Sequence, residues 1–338
     1  MKDAPHAIRE AIKAEEKALR GAHPWLRHQD RIGALFIMVS VAGFAFVSLA
    51  YYHESIPGWL CILANVLLLS VGHEVEHDLI HQLYFPHRRL ARNLLLSIGW
   101  LARGTTINPW IRSRIHRYHH QRSGQFDDAE ERLIGNGMDY RAVKRWLVMF
   151  GPWFAGFQAQ SLKRHGTPFG YRLMLLSLFP MIFLTTAFIL YWATLKLLGG
   201  EMGLWGGSQM RLWDALMVAY VVPNGIRMIV LQFMSSTIHY FGEITRLEDQ
   251  TQIFNSWYWL PLQVFCFNFG ATHALHHFFP QQPFYIRQWL APRLYDLMRR
   301  KGVRFNDIGT FRRNNRYHSL TSPNLACAKA SRKILRTS

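Results

Sequence analysis

The chain has 338 residues, of which 39 are Lys or Arg and 21 are Asp or Glu, a formal charge of +18, and half are hydrophobic. That apolar content excludes disorder as the main state, and three cysteines without tight spacing (Cys61, Cys266, Cys327) exclude a disulfide framework or a CxxC metal site. The basic excess points to nucleic acid or to an anionic membrane face, and only the placement of the charges along the chain separates the two.

Residues 1–31 mix both signs (Arg9, Glu10, Lys13, Glu15, Glu16, Lys17, Arg20), which predicts a solvated amphipathic helix and not a signal peptide. Two uncharged runs follow, 32–52 and 56–72, each long enough to cross a hydrocarbon core, which takes about 20 helical residues. The second run leads directly into His73, His77 and His81. The apolar stretch 93–102 is too short to cross, and His116, His119 and His120 come after it. A run at 173–195 is a third expected span. A fourth, 213–238, contains Pro223-Asn224-Gly225, which predicts a kink, and Arg227, placed to reach the near interface. His239 stands just beyond it. Runs 146–162 and 253–272 carry internal Gly or Pro with several Trp or Gln, which suits interfacial helices. His273, His276 and His277 close the series, and the basic C-terminal segment, 291–338, completes the chain.

Helical positions three and four apart share a face, so His73, His77 and His81 form a stripe and each HxxHH group projects three imidazoles onto one patch. Neutral imidazole suits Fe, Zn, Cu or Ni. One HxxxH pair is weak evidence, but two HxxHH groups with a double HxxxH argue for a shared metal site.

Ligands of one site must lie on one side of the membrane. Between His120 and His239 two full spans return the chain to its starting side, so 253–272 cannot cross, and the same parity makes 146–162 interfacial. Four spans with every cluster on one face is the simple solution: an all-α integral membrane protein with a helical cap carrying the histidines. The opposite face receives only Glu54, Lys196, Glu201, Arg211 and Asp214, and with Arg227 inside a span this leaves 36 basic and 18 acidic residues on the histidine side. The positive-inside rule makes that side, with both termini, cytoplasmic. The expected organisation is therefore an N-terminal segment 1–31, a membrane domain 32–290 and a basic cytosolic tail 291–338. The charge is an orientation signal, and nucleic-acid binding would leave four apolar segments unexplained.

At these residues the chain resembles the membrane fatty acid desaturase family and its related hydroxylases and ketolases, over roughly residues 33 to 290. His77-Asp-Leu-Ile-His81 is similar to the first histidine box, His116/His119/His120 to the second and His273/His276/His277 to the third. His239 resembles an additional ligand that many members place before the third box. The resemblance implies a di-metal site of two non-haem iron ions held by these nine residues, with O₂ as co-substrate. His73 departs from the pattern and is left as a ligand, an outer hydrogen-bond partner or a proton relay. Glu74, Glu76, Asp78, Asp127, Asp128, Glu130 and Glu131 are candidate acceptors for the ligands' second nitrogens, or simply solvated helix starts.

The implied substrate is a fatty acid, an acyl-thioester or an acyl-lipid drawn from membrane lipid. Electrons are expected from a separate donor of ferredoxin, rubredoxin or cytochrome b5 type, because the chain has no His-Pro-Gly-Gly haem motif, dinucleotide fingerprint or P-loop. Hydroxylation, ketolation, triple-bond formation and decarboxylation to a terminal alkene use the same boxes and stay open beside desaturation. A metal transporter or membrane haem protein is the remote alternative, since its ligands would lie near mid-bilayer.

Overall fold

A computed structural model describes residues 3–318 except 152, 155–157, 165 and 203–206. The last part of the expected tail, residues 319–338 with Cys327, lies outside the described residues.

The first helix, α1 (Ala4–Ala22), carries Pro5 in its first turn, where the missing N–H costs nothing. It is not simply solvated. Ile8, Ile12 and Leu19 recur at helical spacing and are buried against α15, introduced below. Arg9 Nε donates to Phe278 O at 3.0 Å and Gln282 Nε2 donates to Glu16 Oε2 at 2.7 Å, so the charged face also grips the core.

Helices α2 (Gln29–Tyr52) and α3 (Gly58–Ile80) form an antiparallel pair, joined partly by Ser40 Oγ donating to Leu68 O at 2.6 Å. Gly33 allows the close approach: a Cβ there would lie 2.6 Å from the Tyr84 ring. Then come α4 (Arg89–Ala102) and α5 (Pro109–Arg122), the latter capped by Asn108, whose side chain accepts from the N–H groups of Trp110 and Ile111.

The connection to the third span is a series of short helices: α6 (Ala129–Leu133), α7 (Val143–Leu147), α8 (Ala159–Arg164) and α9 (Tyr171–Leu178). Among the described residues the uncharged run 146–162 therefore makes no spanning helix; the chain turns at Gly151, whose φ of 97° is left-handed. The third span, α10 (Met181–Met202), begins eight residues later than the apolar run at 173 suggested. Pro180 is the cause, because the residue before proline avoids the α region and Phe179 is extended, at ψ 143°.

The fourth span is built from α11 (Gly207–Leu216), a π-helical turn at Met217–Val221, and α12 (Val222–Ile238). The expected irregularity at Pro223 takes this form. Pro223 cannot donate to the Ala219 carbonyl, and Asn65 Nδ2 on α3 does so instead, at 2.8 Å. Asn224 Nδ2 donates to Tyr220 O (3.0 Å) and to Ala102 O (3.1 Å), fastening α12 to α4. Such interhelical bonds are each worth about 1 kcal/mol in a membrane.

Among the described residues four helices are long and apolar enough to cross a membrane: Gln29–Tyr52, Gly58–Ile80, Met181–Leu198 and Met210–Ile238. Four of the five charges expected on the far face pair with one another, Arg211 with Glu54 (3.1 Å) and Lys196 with Asp214 (2.8 Å).

Run 253–272 is broken into a short strand, β1 (Gln252–Ile253), a 3₁₀ turn, and α13 (Leu260–Phe265), before α14 (Phe269–Phe278). Phe267 and Asn268 both have positive φ at that break. Next, α15 (Phe284–Arg300) runs through residues 290 and 291 without interruption, burying Leu290, Ala291, Leu294 and Met298 in the core shared by α1, α3 and α14. A second strand, β2 (Arg304–Phe305), pairs in parallel with β1. Residues 291–318 are thus part of the fold and not a free tail.

Candidate metal centre

Four elements converge at the cap end of α3. His73 and His77 lie on its last turns and His81 is its C-terminal cap residue. His116, His119 and His120 are on α5, His273, His276 and His277 on α14, and His239 caps α12. The ring nitrogens sort into two groups. His77, His81, His116 and His276 form one and His119, His239, His273 and His277 the other, with ligand atoms of each group within 4.8 Å of one another. His120 lies between them: its Nε2 is 2.9 Å from His276 Nε2 and 3.2 Å from His116 Nε2, and its ring centroid is 5.0 Å from that of His277. His73 joins neither group. Its ring is 6.4 Å from that of His77, and its Nδ1 is 3.5 Å from an Arg103 nitrogen.

The outward nitrogens identify the tautomers. His116 Nδ1 donates to Glu130 Oε2 (2.7 Å) and His119 Nδ1 to Asp128 Oδ2 (2.8 Å). His239 Nδ1 donates to Ser235 O (2.6 Å), and His277 Nδ1 to Gln250 Oε1 (3.1 Å). Each acceptor lacks a proton to give, so all four rings carry hydrogen on Nδ1, and the neutral ones, His116, His239 and His277, turn a bare Nε2 inward. His239 Nε2 and His277 Nε2 then face each other at 3.1 Å as two lone pairs. Two lone pairs at that distance repel unless a cation lies between them, and roughly 3 Å is the spacing of two adjacent imidazoles bound to one first-row ion. His81 Nε2 is buried with no hydrogen-bond partner among the described residues. The donor set fits metal ions.

Burial first, and neighbouring histidines after it, push His116, His120, His273, His276 and His277 well below the usual imidazole range, so these rings are neutral as metal ligands must be. For the same leading reason His81 is pushed down to about 2 and His239 to about 3. His119 is the exception: burial lowers it, but Asp128, Glu130 and Glu131 together raise it to about 10.

The acidic candidates divide by position. Asp128 and Glu130 hold histidines, while Glu131 is 3.6 Å from His119 Nδ1 and accepts from Ser123. Asp128 serves both expected roles, since its Oδ1 caps α6 while its Oδ2 receives His119. Asp127 binds Tyr118 and Arg122 and touches no histidine of the centre. Glu76 pairs with Arg103 and Arg112. Asp78 accepts from Tyr84 Oη (2.8 Å) and from the Phe284 N–H (2.7 Å), and lies 3.3 Å from Arg287, so it orders the start of α15 instead of an imidazole.

Sequence reasoning missed Arg287, Gln250 and the Ser235 carbonyl. Arg287 is fully buried, with Nη1 3.1 Å from His276 Nδ1. Nothing in its local sequence separates it from the other arginines near it, and a carbonyl partner has no sequence signal at all.

One side of the centre opens on a cavity of about 330 Å³, lined by His73, His77, His116, His119, His239 and His273 and otherwise mostly by apolar side chains of α9, α12 and the connecting segments. The fatty acid desaturase family matches residues 53–309, a stretch that includes the ten histidines gathered at this centre. No curated protein matches the chain.

Proposed function

The chain belongs to the fatty acid desaturase family, a family of oxidoreductases, and from that premise we propose that it is an oxygen-dependent fatty acyl desaturase. In this reading it sits in a membrane by four spans with both termini cytoplasmic. It introduces a double bond into a lipid acyl chain, with electrons from a separate donor protein of ferredoxin, rubredoxin or cytochrome b5 type.

The observation that carries the reading is the pair of four-histidine groups sharing one apolar-walled cavity. His77, His81, His116 and His276 would hold one iron, His119, His239, His273 and His277 the other, and His120 would serve at their junction. Iron bound there supplies, with O₂, the oxidising power that an unactivated C–H bond demands. The protein's part is positional. Glu130, Asp128, Ser235 and Gln250 fix ring orientation and tautomer, and the apolar wall takes the alkyl chain and keeps out water.

His73 is read as an outer residue. His73→Ala is expected to keep the full metal content while lowering activity; loss of half the metal on elemental analysis would make it a ligand instead. Purified protein is expected to contain about two irons per chain without haem absorption, and cells expressing it to accumulate an acyl product with one new double bond by mass spectrometry. Zinc alone or haem would overturn the metal assignment. An oxygenated product with no new double bond would place the chain among the hydroxylating members.

A further inference from the structure

Arg227 was placed by sequence where it could reach the membrane interface, and the structure does something else with it. The residue is 2% exposed and lines the cavity beside the histidines. Its Nη2 donates to Thr106 Oγ1 at 3.1 Å, its Nε is buried with no hydrogen-bond partner, and it has no ion pair among the described residues. The carboxylates nearby are committed elsewhere. Glu76 neutralises Arg103 and Arg112, Glu130 holds His116, and Glu131 accepts from Ser123 and Asn136. The charges of Arg227 and Arg112 both reach Arg103, which after burial are the next causes lowering its pKa. The cavity wall thus carries Arg227 and Arg112 together with Glu130 and Glu131, and none of these carboxylates forms an ion pair with Arg227.

A buried guanidinium without a counter-ion is costly, and it is retained where an anion completes it. Most of the remaining wall (Ile107, Leu133, Met174, Leu178, Met228 and Leu231 among it) is apolar and suits hydrocarbon, with Ser177 and Gln232 as polar interruptions. An apolar cavity with one unmatched cation is complementary to an amphiphile carrying a single negative charge. We propose that Arg227 anchors the carboxylate of a free fatty acid, and that the acid is bound unesterified with its charged end inside the cavity. A thioester, a methyl ester or a glycerolipid acyl group offers only a neutral carbonyl there and leaves Arg227 unpaired. The inference rests on the cavity being the substrate site and narrows the substrate to one of the classes that the reaction allows.

The test is binding, so it does not depend on turnover. Full-length protein in phosphatidylcholine nanodiscs, with and without iron, is titrated with radiolabelled dodecanoate and displaced by unlabelled dodecanoate or methyl dodecanoate, at a pH where the acid is ionised. Empty nanodiscs and the exposed-site variant Arg211→Gln serve as controls. Wild type is expected to hold the acid at least about tenfold more tightly than the ester. Arg227→Gln should lose that preference while still binding the ester, and Arg227→Lys should keep part of it. Equal binding of acid and ester by wild type, no binding of the acid, or a preference that survives in Arg227→Gln would each overturn the proposal. Should Arg227→Gln fail to fold, the wild-type comparison and the lysine variant still decide. Iron content and products are read on the same preparation. A full iron complement and an oxidised product without acid preference would refute the anchor alone, whereas acid preference in a protein that takes up no iron and forms no product would refute the enzymatic reading alone.

Discussion

Replacing His116 or His276 with alanine is expected to reduce turnover to background and to remove metal from the protein, while membrane insertion and helix content stay as in wild type. Both residues contribute to the group of four that includes His77 and His81, and both are almost fully buried. His116 has the greater reach: its Nε2 is 3.0 Å from that of His77 and 3.2 Å from that of His120, and its Nδ1 engages Glu130. Its removal takes out one inward nitrogen and leaves a carboxylate without its partner. His276 lies among the rings of His77, His81 and His120, with centroids 4.3, 4.5 and 4.6 Å away. Neither ring contributes to the apolar packing between α2 and α3, so the spans should still insert. Iron analysis together with circular dichroism separates the two effects. Wild-type activity in either variant would refute the assignment of this group as a metal site.

Asp128→Asn should cost a factor of about 10 to 100 in metal affinity or activity without a measurable loss of stability. Asparagine is as good a helix N-cap as aspartate, so the bonds from the Glu130 and Glu131 N–H groups to Oδ1 survive. The other oxygen is the one that receives His119 Nδ1–H, at 2.8 Å. With an amide NH₂ in its place, two donors would meet, and His119 would be driven to the tautomer that carries its proton on Nε2. That nitrogen would then be lost to the group of His239, His273 and His277. Thermal unfolding measured beside iron titration distinguishes this from simple damage to α6. Unchanged iron affinity would show that Asp128 is a cap and nothing more.

These expectations depend on an arrangement that was only partly visible in the sequence. Which histidines matter was legible, because spacings of three and four place side chains on one face wherever a helix forms, and α3, α5 and α14 are helical where the boxes lie. How the histidines divide was not. His116 and His119 come from one box and fall in different groups, as do His276 and His277. Their directions around the helix differ by about 60° to 100°, and which neighbour each one meets depends on how α3, α5, α12 and α14 cross. Spacing along one helix carries no information on that crossing.

The same boundary runs through the fold. Apolar runs of membrane length and the breaks at Pro180 and Pro223 determined where spans could start and kink, since a missing N–H and a restricted φ act locally. Composition made α1 a helix, but only packing showed that Ile8, Ile12 and Leu19 bury against α15. Arginine shows the limit best. Arg227 and Arg287 look like any others in a chain with 39 basic residues, and burial alone separates them, Arg287 against His276 and the Asp78 carboxylate, Arg227 in an apolar cavity without a carboxylate of its own. The sequence by itself determined the number of candidate spans, the excess of positive charge and the set of metal-binding candidates, because each follows from the chemistry or periodicity of neighbouring residues. The tertiary structure decided how the imidazoles group, which acceptors orient them and which cation is left unmatched, because those depend on contacts between residues tens to hundreds of positions apart.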